Sequence, residues 1–379
     1  MSMQRRTLFS AAGAMAALAA AGARAAEPAP AAPSAPDAAH PILACFNENP
    51  LGLSAGAKKA LIASAERCNR YPFADAEKLR KACADFIGGK PEAVTLSQGS
   101  AEAIRASIEA CKTEGVALVI PELTYSDGEM CAQRNGIPVV RVPMGPNWSV
   151  DLDGMRAAVQ KHKGPAIVYF ANPNNPTSTI ADSAKLEAWI REDKKTIFLV
   201  DEAYAEFASD PAFRSMAPLV GEGLENVIVL KTFSKIFAMA GLRLGFAYAA
   251  PKTAERVREH IAYDIFQNVP AIACAMEELG DEAFLRESRR VNDASKKIIT
   301  AACDKLGLKY LPSQTNFIFA ELPKKTTLEA FTKAMKERHV LVGRPFPPAT
   351  GWCRISMVSE ADSAYIASAM EATREAGIL

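Results

Sequence analysis

The stretch Asn226-Val-Ile-Val-Leu-Lys-Thr-Phe-Ser-Lys235 joins a short apolar run to a lysine that stands among hydroxyl groups. The apolar run is typical of a buried strand, and Arg243 follows in Ala-Gly-Leu-Arg-Leu-Gly. A lysine amine just past such a strand can condense with an aldehyde, and Thr232, Ser234 and Arg243 can hold a phosphate ester by charge-assisted hydrogen bonds. The stretch therefore indicates a Schiff-base and phosphate site, although such a loop alone is more often ordinary surface.

Two further apolar runs also end in polar clusters. Residues 196–200 lead into Asp201-Glu-Ala-Tyr204, and residues 166–170 lead into Asn172-Pro-Asn-Asn-Pro-Thr-Ser178. Open α/β sheets bind their ligands at the carboxyl ends of parallel strands. We therefore expect the three clusters to meet in one site.

The chemistry of these clusters suits pyridoxal phosphate. An aspartate such as Asp201 beside the pyridine nitrogen keeps that nitrogen protonated, so that the ring can withdraw electrons. Tyr204 and Asn175 can hydrogen-bond the phenolic oxygen. The structural alternatives are a helix N-cap for Asp201 and an Asx-turn for Asn175. Agreement of three clusters at matching strand ends favours the functional interpretation.

Ten short motifs, in order, resemble those of fold-type I pyridoxal-phosphate aminotransferases, and most closely those of the histidinol-phosphate aminotransferase family. The resemblance covers about residues 42–379. The motifs are Asn47-Glu-Asn-Pro-Leu-Gly52, Arg70-Tyr-Pro72, Gln98-Gly-Ser-Ala-Glu102, Pro121 to Tyr125, Asn172 to Thr177, Asp201 to Phe207, Thr232 to Gly245, Asn316-Phe317, Gly343-Arg344 and Cys353-Arg-Ile-Ser356.

The resemblance implies a role for each matching position around the cofactor. Lys235 would take the cofactor aldehyde and, once freed by substrate, move the proton between the substrate Cα and the cofactor. Asp201 would pair with the pyridinium nitrogen, Tyr204 and Asn175 would bind the phenolic oxygen, and Tyr125 would stack on the ring. The groups implied for the phosphate are the backbone amides of Ser100 and Ala101 at the start of a helix over 101–111, then Thr232, Ser234 and Arg243, and Tyr71 of the neighbouring subunit of a homodimer.

For the substrate, the resemblance implies that Arg354 clamps the α-carboxylate, because a guanidinium suits a planar anion. Asn47 would also contact substrate. Arg344 has two readings: a second anion contact for a substrate side chain, or a solvated loop arginine.

Two positions depart from the family pattern. Ser178 stands where a glycine is usual, so this turn is expected to need a strained non-glycine conformation. Ala101 replaces an acidic residue of the phosphate loop. Neither change removes a group that does chemistry.

Seven apolar runs follow the leader, at residues 93–96, 116–120, 138–142, 166–170, 196–200, 227–230 and 244–248. Helical patterns at 76–86, 152–161 and 184–192 alternate with them. The pattern predicts an α/β fold with a mostly parallel seven-stranded sheet. A helical region at 253–306, broken at Pro270, leads to a smaller α+β part with strands at 316–321, 340–343 and 352–357 and a helix at 361–375. Residues 46–65 are expected to fold back onto that part.

The resulting domain scheme begins with an export signal at 1–25, because Arg5 and Arg6 precede an alanine-rich run that ends near Ala25. A mitochondrial-type presequence is the alternative. A disordered proline–alanine spacer follows at 26–41. We expect an N-terminal segment at 42–70 that packs on the small domain, a large cofactor-binding domain at 71–265, and a linking helix with the small domain at 266–379. The mature protein would be periplasmic or otherwise exported.

Composition excludes several classes of partner. The net charge is +1 with four histidines, which gives no basic field for nucleic acid. No basic amphipathic helix indicates a membrane surface for the mature form. The eight cysteines show no Cys-x-x-Cys pair and no spacing for zinc. Cys111 and Cys353 read as core, and we expect no structural disulfide and no metal.

An aminotransferase that moves an amino group between an amino acid and a 2-oxo acid is the leading functional interpretation. A decarboxylase or other lyase of the same fold remains open, because sequence does not show which Cα bond lies across the ring plane. A non-catalytic binding or sensor module is disfavoured, since it would need neither Lys235 nor Asp201. Donor, acceptor and pathway stay open, and an exported enzyme is poorly placed to use histidinol phosphate, a cytoplasmic intermediate.

Overall fold

The structure is a computed structural model that describes residues 35–379, so the predicted leader at 1–25 and most of the spacer at 26–41 lie outside the described residues. Residues 35–41 carry neither helix nor strand. The described strands are β1 (Ile42–Ala44), β2 (Val94–Ser97), β3 (Ala117–Pro121), β4 (Val139–Val142), β5 (Ala166–Ala171), β6 (Ile197–Asp201), β7 (Val227–Thr232), β8 (Gly245–Ala249), β9 (Phe317–Glu321), β10 (Val340–Val342) and β11 (Trp352–Ser356).

The described α-helices are α1 (Ala55–Ser64), α2 (Phe73–Phe86), α3 (Ser100–Ala110), α4 (Asp127–Arg134), α5 (Leu152–His162), α6 (Ser183–Glu192), α7 (Ala217–Gly221), α8 (Pro251–Arg258), α9 (Val269–Gly280), α10 (Glu282–Lys305), α11 (Leu328–Glu337) and α12 (Glu360–Glu375). Seven of them begin after a Ser, Thr, Asp or Asn whose side chain accepts a hydrogen bond from the first turn. Such caps satisfy amide groups that have no partner within the helix.

Seven strands form one sheet in the order β2-β8-β7-β6-β5-β3-β4. Only β8 runs antiparallel to its neighbours in this sheet, and the other pairings are parallel. The predicted α/β fold with a mostly parallel seven-stranded sheet is therefore confirmed. The strand positions agree to within one or two residues at either end.

Both faces of this sheet are covered, which explains why its strands read as continuous apolar runs. Neighbouring residues of β7 point to opposite faces: Val229 packs in one hydrophobic cluster, and Ile228 and Leu230 pack in the other. Asp201 and Thr232 are each the last residue of their strand, so these polar side chains lie at the edge of the sheet.

The C-terminal part has its own hydrophobic cluster, built around an antiparallel pair of β9 with β11. The short strand β1 pairs in parallel with β10, so the chain just after the spacer does return to this part. Helix α1 differs from the expectation. It packs along α9, and its Ala57 carbonyl faces the Cys274 thiol, because the apolar face of α9 lies there.

The long helical region is divided differently from the prediction. Pro270 lies inside the first turn of α9 and does not break it, since the first turn needs no donor from that nitrogen. The breaks lie instead between α8 and α9 and at Asp281, which caps α10. The Asn268 side chain accepts a hydrogen bond from Ala271 N at 2.8 Å and so fixes the start of α9.

All eight cysteines lie in the described residues and none is paired; Cys111 and Cys353 are buried, as predicted. Across residues 35–379 we find no cluster of three or more His, Cys, Asp and Glu side chains placed to hold a metal ion. In the same part of the chain no helix combines the length and apolar character that a membrane span requires.

Candidate active site

The ends of β5, β6 and β7 meet at one edge of the sheet. Ala171 is paired with Asp201, and Asp201 with Leu230, so the three polar clusters lie side by side. A cavity of about 240 Å³ opens there. Its walls include twelve of the predicted site residues: Asn47, Ser100, Ala101, Tyr125, Asn175, Asp201, Tyr204, Thr232, Ser234, Lys235, Arg243 and Arg354.

Lys235 projects into this cavity from the turn after β7. Its Nζ donates to the carbonyl oxygens of Phe46 and Asn47, each at 3.2 Å, and lies 5.7 Å from the centre of the Tyr204 ring. The turn is fixed by Phe233, which is fully buried and whose N–H donates to Leu244 O at 3.0 Å. The buried Phe233 therefore fixes the direction of the Lys235 side chain, and the carbonyl groups of the N-terminal segment hold its amine.

A group of anion-binding donors lies on one side of Lys235. The Thr232 hydroxyl donates to Ser234 Oγ at 3.0 Å, and Arg243 Nη1 donates to the same oxygen at 3.3 Å. The N-terminus of α3, which begins at Ser100, lies beside them in the cavity wall. A helix N-terminus with two hydroxyls and a guanidinium is suited to a phosphate ester.

Close packing of backbone makes this arrangement possible. A Cβ on Gly245 would lie 2.7 Å from Lys231 O and 2.8 Å from Ser100 N, and one on Gly99 would lie 2.5 Å from the Arg243 guanidinium. Gly99 also has φ +77°. Both positions therefore require glycine for α3 and Arg243 to meet at the sheet edge.

Asp201 lies at the bottom of the cavity and is 2 % exposed. Burial raises its pKa to about 7, partly offset by a hydrogen bond from Ala203 N, and the nearby Asp127 and Glu202 raise the pKa further. A carboxylate in this position gains most from a cationic partner. A protonated ring nitrogen would be such a partner.

Tyr204 lies between two amides. Asn47 Nδ2 donates to its hydroxyl oxygen at 3.0 Å, and Asn175 Nδ2 approaches the same oxygen at 3.5 Å. Tyr125 is half-buried in the cavity wall, and burial raises the pKa of its phenol, with Asp127 adding to the shift. The Tyr125 phenol is therefore a neutral hydrogen-bonding group near neutral pH.

Arg354 has donors to spare. Its Nη1 donates to Asn175 Oδ1 at 2.7 Å and its Nη2 to Cys45 O at 2.6 Å, whereas its buried Nε has no partner. The guanidinium lies over the rings of Phe317 and Phe346, at 5.4 and 5.0 Å from their centres. Burial lowers its pKa. An anion that binds in the cavity would compensate the cost of burying the positive charge of Arg354.

Two predicted site residues lie outside the cavity. Tyr71 is 74 % exposed and stacks on Phe266 with ring centres 5.1 Å apart. Arg344 is exposed and lies 4.6 Å from the centre of the Phe346 ring, on which Arg354 also lies. Within a single chain, therefore, neither Tyr71 nor Arg344 reaches the cavity of that chain.

Sequence reasoning missed the residues that hold the N-terminal segment in place. Asn316 Nδ2 donates to Asn47 O at 2.9 Å, and the Ser356 hydroxyl donates to Asn47 Oδ1 at 2.6 Å. Asn47 itself has φ +57°. The Asn316-Phe317 motif was a sequence signal that could have found Asn316, although no role was assigned to it. No sequence signal indicated Phe46, which is exposed at the cavity wall.

Ser178 adopts the strained conformation that the sequence predicts. Its φ is +63°, and its N–H donates to Asn174 O at 2.8 Å in a fully buried turn. This turn carries Asn175 into the cavity, so the strain is retained where a site residue is positioned.

These features fit pyridoxal phosphate: an amine for the aldehyde, a built anion site for the phosphate, and a buried carboxylate for the ring nitrogen. An unpartnered Arg354 Nε adds a place for a substrate carboxylate. The arrangement can bind an amino acid and exchange protons at its Cα.

Comparison with known proteins agrees with this chemistry. The sequence model of the family "Aminotransferase class I and II" matches residues 40–372. A histidinol-phosphate aminotransferase of Moorella thermoacetica is 34% identical over 295 residues, which are 77% of this chain and 74% of that protein.

Solved structures give the same result. A structure from Erwinia carotovora atroseptica SCRI1043, assigned provisionally as a histidinol-phosphate aminotransferase, superposes with a TM-score of 0.90 at 42% identity, over 92% of this chain and 100% of that one. The histidinol-phosphate aminotransferase of Sinorhizobium meliloti, in complex with pyridoxal-5'-phosphate, has a TM-score of 0.79 at 26% identity, over 88% and 91% of the two chains. The chain belongs to the class I and II aminotransferases and is a pyridoxal-phosphate-dependent transaminase.

Proposed function

We propose that this cavity transfers the amino group of an α-amino acid to a 2-oxo acid, with Lys235, Asp201 and Arg354 in the principal roles. The observation that carries the proposal is their convergence. An amine, a buried carboxylate and a guanidinium with a free donor line one cavity, although they come from three separate parts of the chain. Amino acid metabolism is the corresponding cellular role.

In this scheme the cofactor supplies, when bound, a protonated ring that withdraws electrons from the substrate Cα. Asp201 holds the ring nitrogen in its protonated form, and Tyr204 with Asn175 binds the phenolic oxygen. The amides of Ser100 and Ala101 join Thr232, Ser234 and Arg243 on the phosphate, and Tyr125 covers the ring.

Lys235 is the proton carrier. Its Nζ is held at 3.2 Å from the Phe46 and Asn47 carbonyls, which accept hydrogen bonds without taking the proton away. The neutral amine, once free, removes the proton from Cα and returns a proton on the cofactor side, which is what transamination requires. Asn47 contributes the carbonyl and contacts substrate.

Arg354 binds the substrate α-carboxylate. Its Nη groups are already oriented by Asn175 and Cys45 O, so a carboxylate meets a preorganised cation. Arg344 is proposed as a second anion contact for the substrate side chain. Support comes from the Phe346 ring, which both guanidinium groups share, and from the repulsion by which Arg344 helps lower the pKa of Arg354.

The decisive experiment is a screen of amino donors against the purified protein, read by the change of the visible cofactor band and by the new amino acid formed. Lys235→Ala should abolish turnover while the unfolding temperature of the cofactor-free protein stays nearly unchanged, because the loss is chemical. Lys252→Ala, at a side chain that is 85% exposed, is the matched control. A Lys235→Ala protein with near-normal rates would contradict the mechanism, and release of CO₂ without amino transfer would indicate the lyase alternative.

Assembly as a homodimer is also proposed. Tyr71, Phe73, Tyr263 and Phe266 form an aromatic cluster on the surface of the single chain, in which Tyr71 and Tyr263 are 74% and 66% exposed. A cluster of exposed aromatic rings is typical of a protein interface. Tyr71 would then reach the phosphate of the neighbouring subunit.

Export by the twin-arginine route, with cleavage near Ala25 and a periplasmic location, is proposed from the sequence. Arg5 and Arg6 lie before an alanine-rich run. That route carries folded proteins, which suits an enzyme whose cofactor is attached through Lys235. Replacing both arginines by lysine should retain the protein in the cytoplasm; unchanged fractionation would refute the proposal.

The division into a cofactor-binding domain at 71–265 and a small domain at 266–379, with the segment 42–70 packed on the latter, stays a proposal with two refinements. The first is that α1 of this segment packs along α9, whereas β1 pairs with β10. Residues 36–379 form one compact unit, and Ala271 and Ile272 of α9 pack in the cluster of the large sheet. These contacts favour a boundary after Gly280. Limited proteolysis of the purified protein would test it.

A further inference from the structure

Tyr169 is a fully buried tyrosine whose hydroxyl has no hydrogen-bond partner. A buried hydroxyl without a partner loses its hydration and gains nothing in return. Phenylalanine would fill the same volume without that loss. The hydroxyl therefore calls for an explanation at this position.

The register of the sheet places Tyr169 on the same face as Asp201. Ala171 of β5 is paired with Asp201 of β6, and Tyr169 precedes Ala171 by two residues. Since alternate residues of a strand share one face, the Tyr169 and Asp201 side chains leave the sheet on the same side. Tyr169 also packs with Leu199, the residue two before Asp201, in the same hydrophobic cluster.

Gly128 makes room for the Tyr169 ring. A Cβ on Gly128 would lie 2.4 Å from a carbon of that ring. This contact brings the ring against the first turn of α4, next to Asp127, which begins the helix. The absence of a side chain at Gly128 is therefore a condition for packing the Tyr169 ring against the first turn of α4.

The surroundings of the hydroxyl are carboxyl and phenol groups. Burial raises the pKa of Tyr169, and the charges of Asp201, Asp127, Tyr125 and Tyr204 add to the shift. Three of these four line the cavity. A phenol that stays protonated beside a carboxyl group can act only as a neutral donor or acceptor toward it.

We propose that Tyr169 is a positioning residue for Asp201: its hydroxyl is the buried donor that hydrogen-bonds the Asp201 carboxylate when that carboxylate pairs with the ring nitrogen of pyridoxal phosphate. The proposal rests on the role of Asp201 given above. Such a bond would satisfy the Tyr169 hydroxyl, which has no partner among the side chains and backbone groups of the chain.

The test is a double-mutant cycle on cofactor affinity, measured by titrating pyridoxal phosphate into cofactor-free protein. A hydrogen bond to a charged group corresponds to on the order of tenfold in affinity. Tyr169→Phe should therefore weaken binding about tenfold, and the loss should vanish in the Asp201→Asn background, because the hydroxyl acts through that carboxylate. The unfolding temperature of the cofactor-free Tyr169→Phe protein should not fall, since no bond is lost there.

The control is Tyr248→Phe, which alters a buried tyrosine on the opposite face of the same sheet, outside the cavity. It should leave cofactor affinity unchanged. Unchanged affinity in Tyr169→Phe, or an equal loss with and without Asp201→Asn, would overturn the proposal. A loss that instead vanishes in the Asp127→Asn background would also overturn it. If Asp201→Asn by itself binds pyridoxal phosphate normally, the role proposed for Asp201 is contradicted. This result differs from the results that contradict only the role of Tyr169, so the experiment distinguishes the two.

Discussion

Asp201 is a buried carboxyl group. Its charge state affects both the stability of the folded protein and the affinity of the protein for its cofactor. Its pKa rises from 3.8 to about 7 on burial. Between those values the folded cofactor-free protein holds a proton that the unfolded chain has released. Its stability therefore falls as pH rises through that window.

The resulting prediction concerns Asp201→Asn. Because an amide does not ionise, the cofactor-free variant should be more stable than the original protein above pH 7, by no more than about 4 kcal/mol, and should lose this part of the pH dependence. It should nevertheless bind pyridoxal phosphate more weakly and react more slowly by several orders of magnitude, since an amide cannot hold the pyridinium proton. Thermal unfolding at two pH values, with and without cofactor, measures both effects. A variant that is fully active would contradict the role of Asp201 at the ring nitrogen.

Arg344 offers a second test at the residue scale. Arg344→Ala should reduce kcat/KM at least tenfold for donors with anionic side chains. A bound anionic side chain would bury its pair with this exposed guanidinium, and loss of a desolvated charge pair costs about 2–5 kcal/mol. Neutral aromatic donors should be nearly unaffected. The control is Arg338→Ala. Arg338 lies at the C-terminus of α11 and does not line the cavity. Equal losses for both donor classes would indicate a structural arginine, and no loss would make it a surface residue.

At the scale of elements, the seating of α3 on β8 decides whether the phosphate site exists. Gly245→Ala would force a Cβ against the backbone of Lys231 and Ser100 at 2.7 and 2.8 Å, where neither atom can move without shifting a strand or a helix. We expect a loss of stability of about 1–3 kcal/mol and weaker cofactor binding. Gly241→Ala, for which nothing lies within 4 Å of the added Cβ, should change neither. Equal affinities of the two variants would contradict this account of the phosphate site.

The same elements show what sequence can and cannot predict. The runs that became β5, β6 and β7 were recognisable because strands covered on both faces are apolar throughout. Residues at their ends were therefore assigned to one site. The break at Pro270 was wrong, although Asn268 two residues earlier is a helix-cap signal that would have corrected it.

The position of the N-terminal segment could not be predicted from local patterns. Asn47 meets Tyr204 and Lys235 across more than 150 residues of chain, through the pairing of β1 with β10 and through Asn316. No periodicity encodes such contacts. The resemblance placed Asn47 in the site but gave no reason for it. The reason is that its backbone carbonyl accepts a hydrogen bond from Lys235 Nζ and its side-chain amide donates one to the Tyr204 hydroxyl.

At the scale of the whole molecule, the aromatic cluster around Tyr71 predicts assembly. Phe73→Asp would place a charge among Tyr71 and Phe266, whose rings lie within 6.0 Å of Phe73. A buried unpaired charge is costly, so the dimer should dissociate. Met130→Asp, at an exposed methionine of α4 outside this cluster, is the control. Sedimentation should give a dimer for the original protein and for the control. An active monomer of the original sequence would refute the assembly.

The dimer also predicts which subunit Tyr71 serves. In a hybrid of one Tyr71→Phe subunit and one Arg243→Ala subunit, a tyrosine that acts across the interface leaves one site with both groups and one site with neither. A tyrosine that acts within its own subunit leaves each site with one defect. Tandem purification of the hybrid, followed by titration with pyridoxal phosphate, should therefore give one tight site per dimer. Two weakened sites, with no tight site in the dimer, would show that Tyr71 acts in its own subunit. Its 74% exposure away from the cavity argues against that outcome.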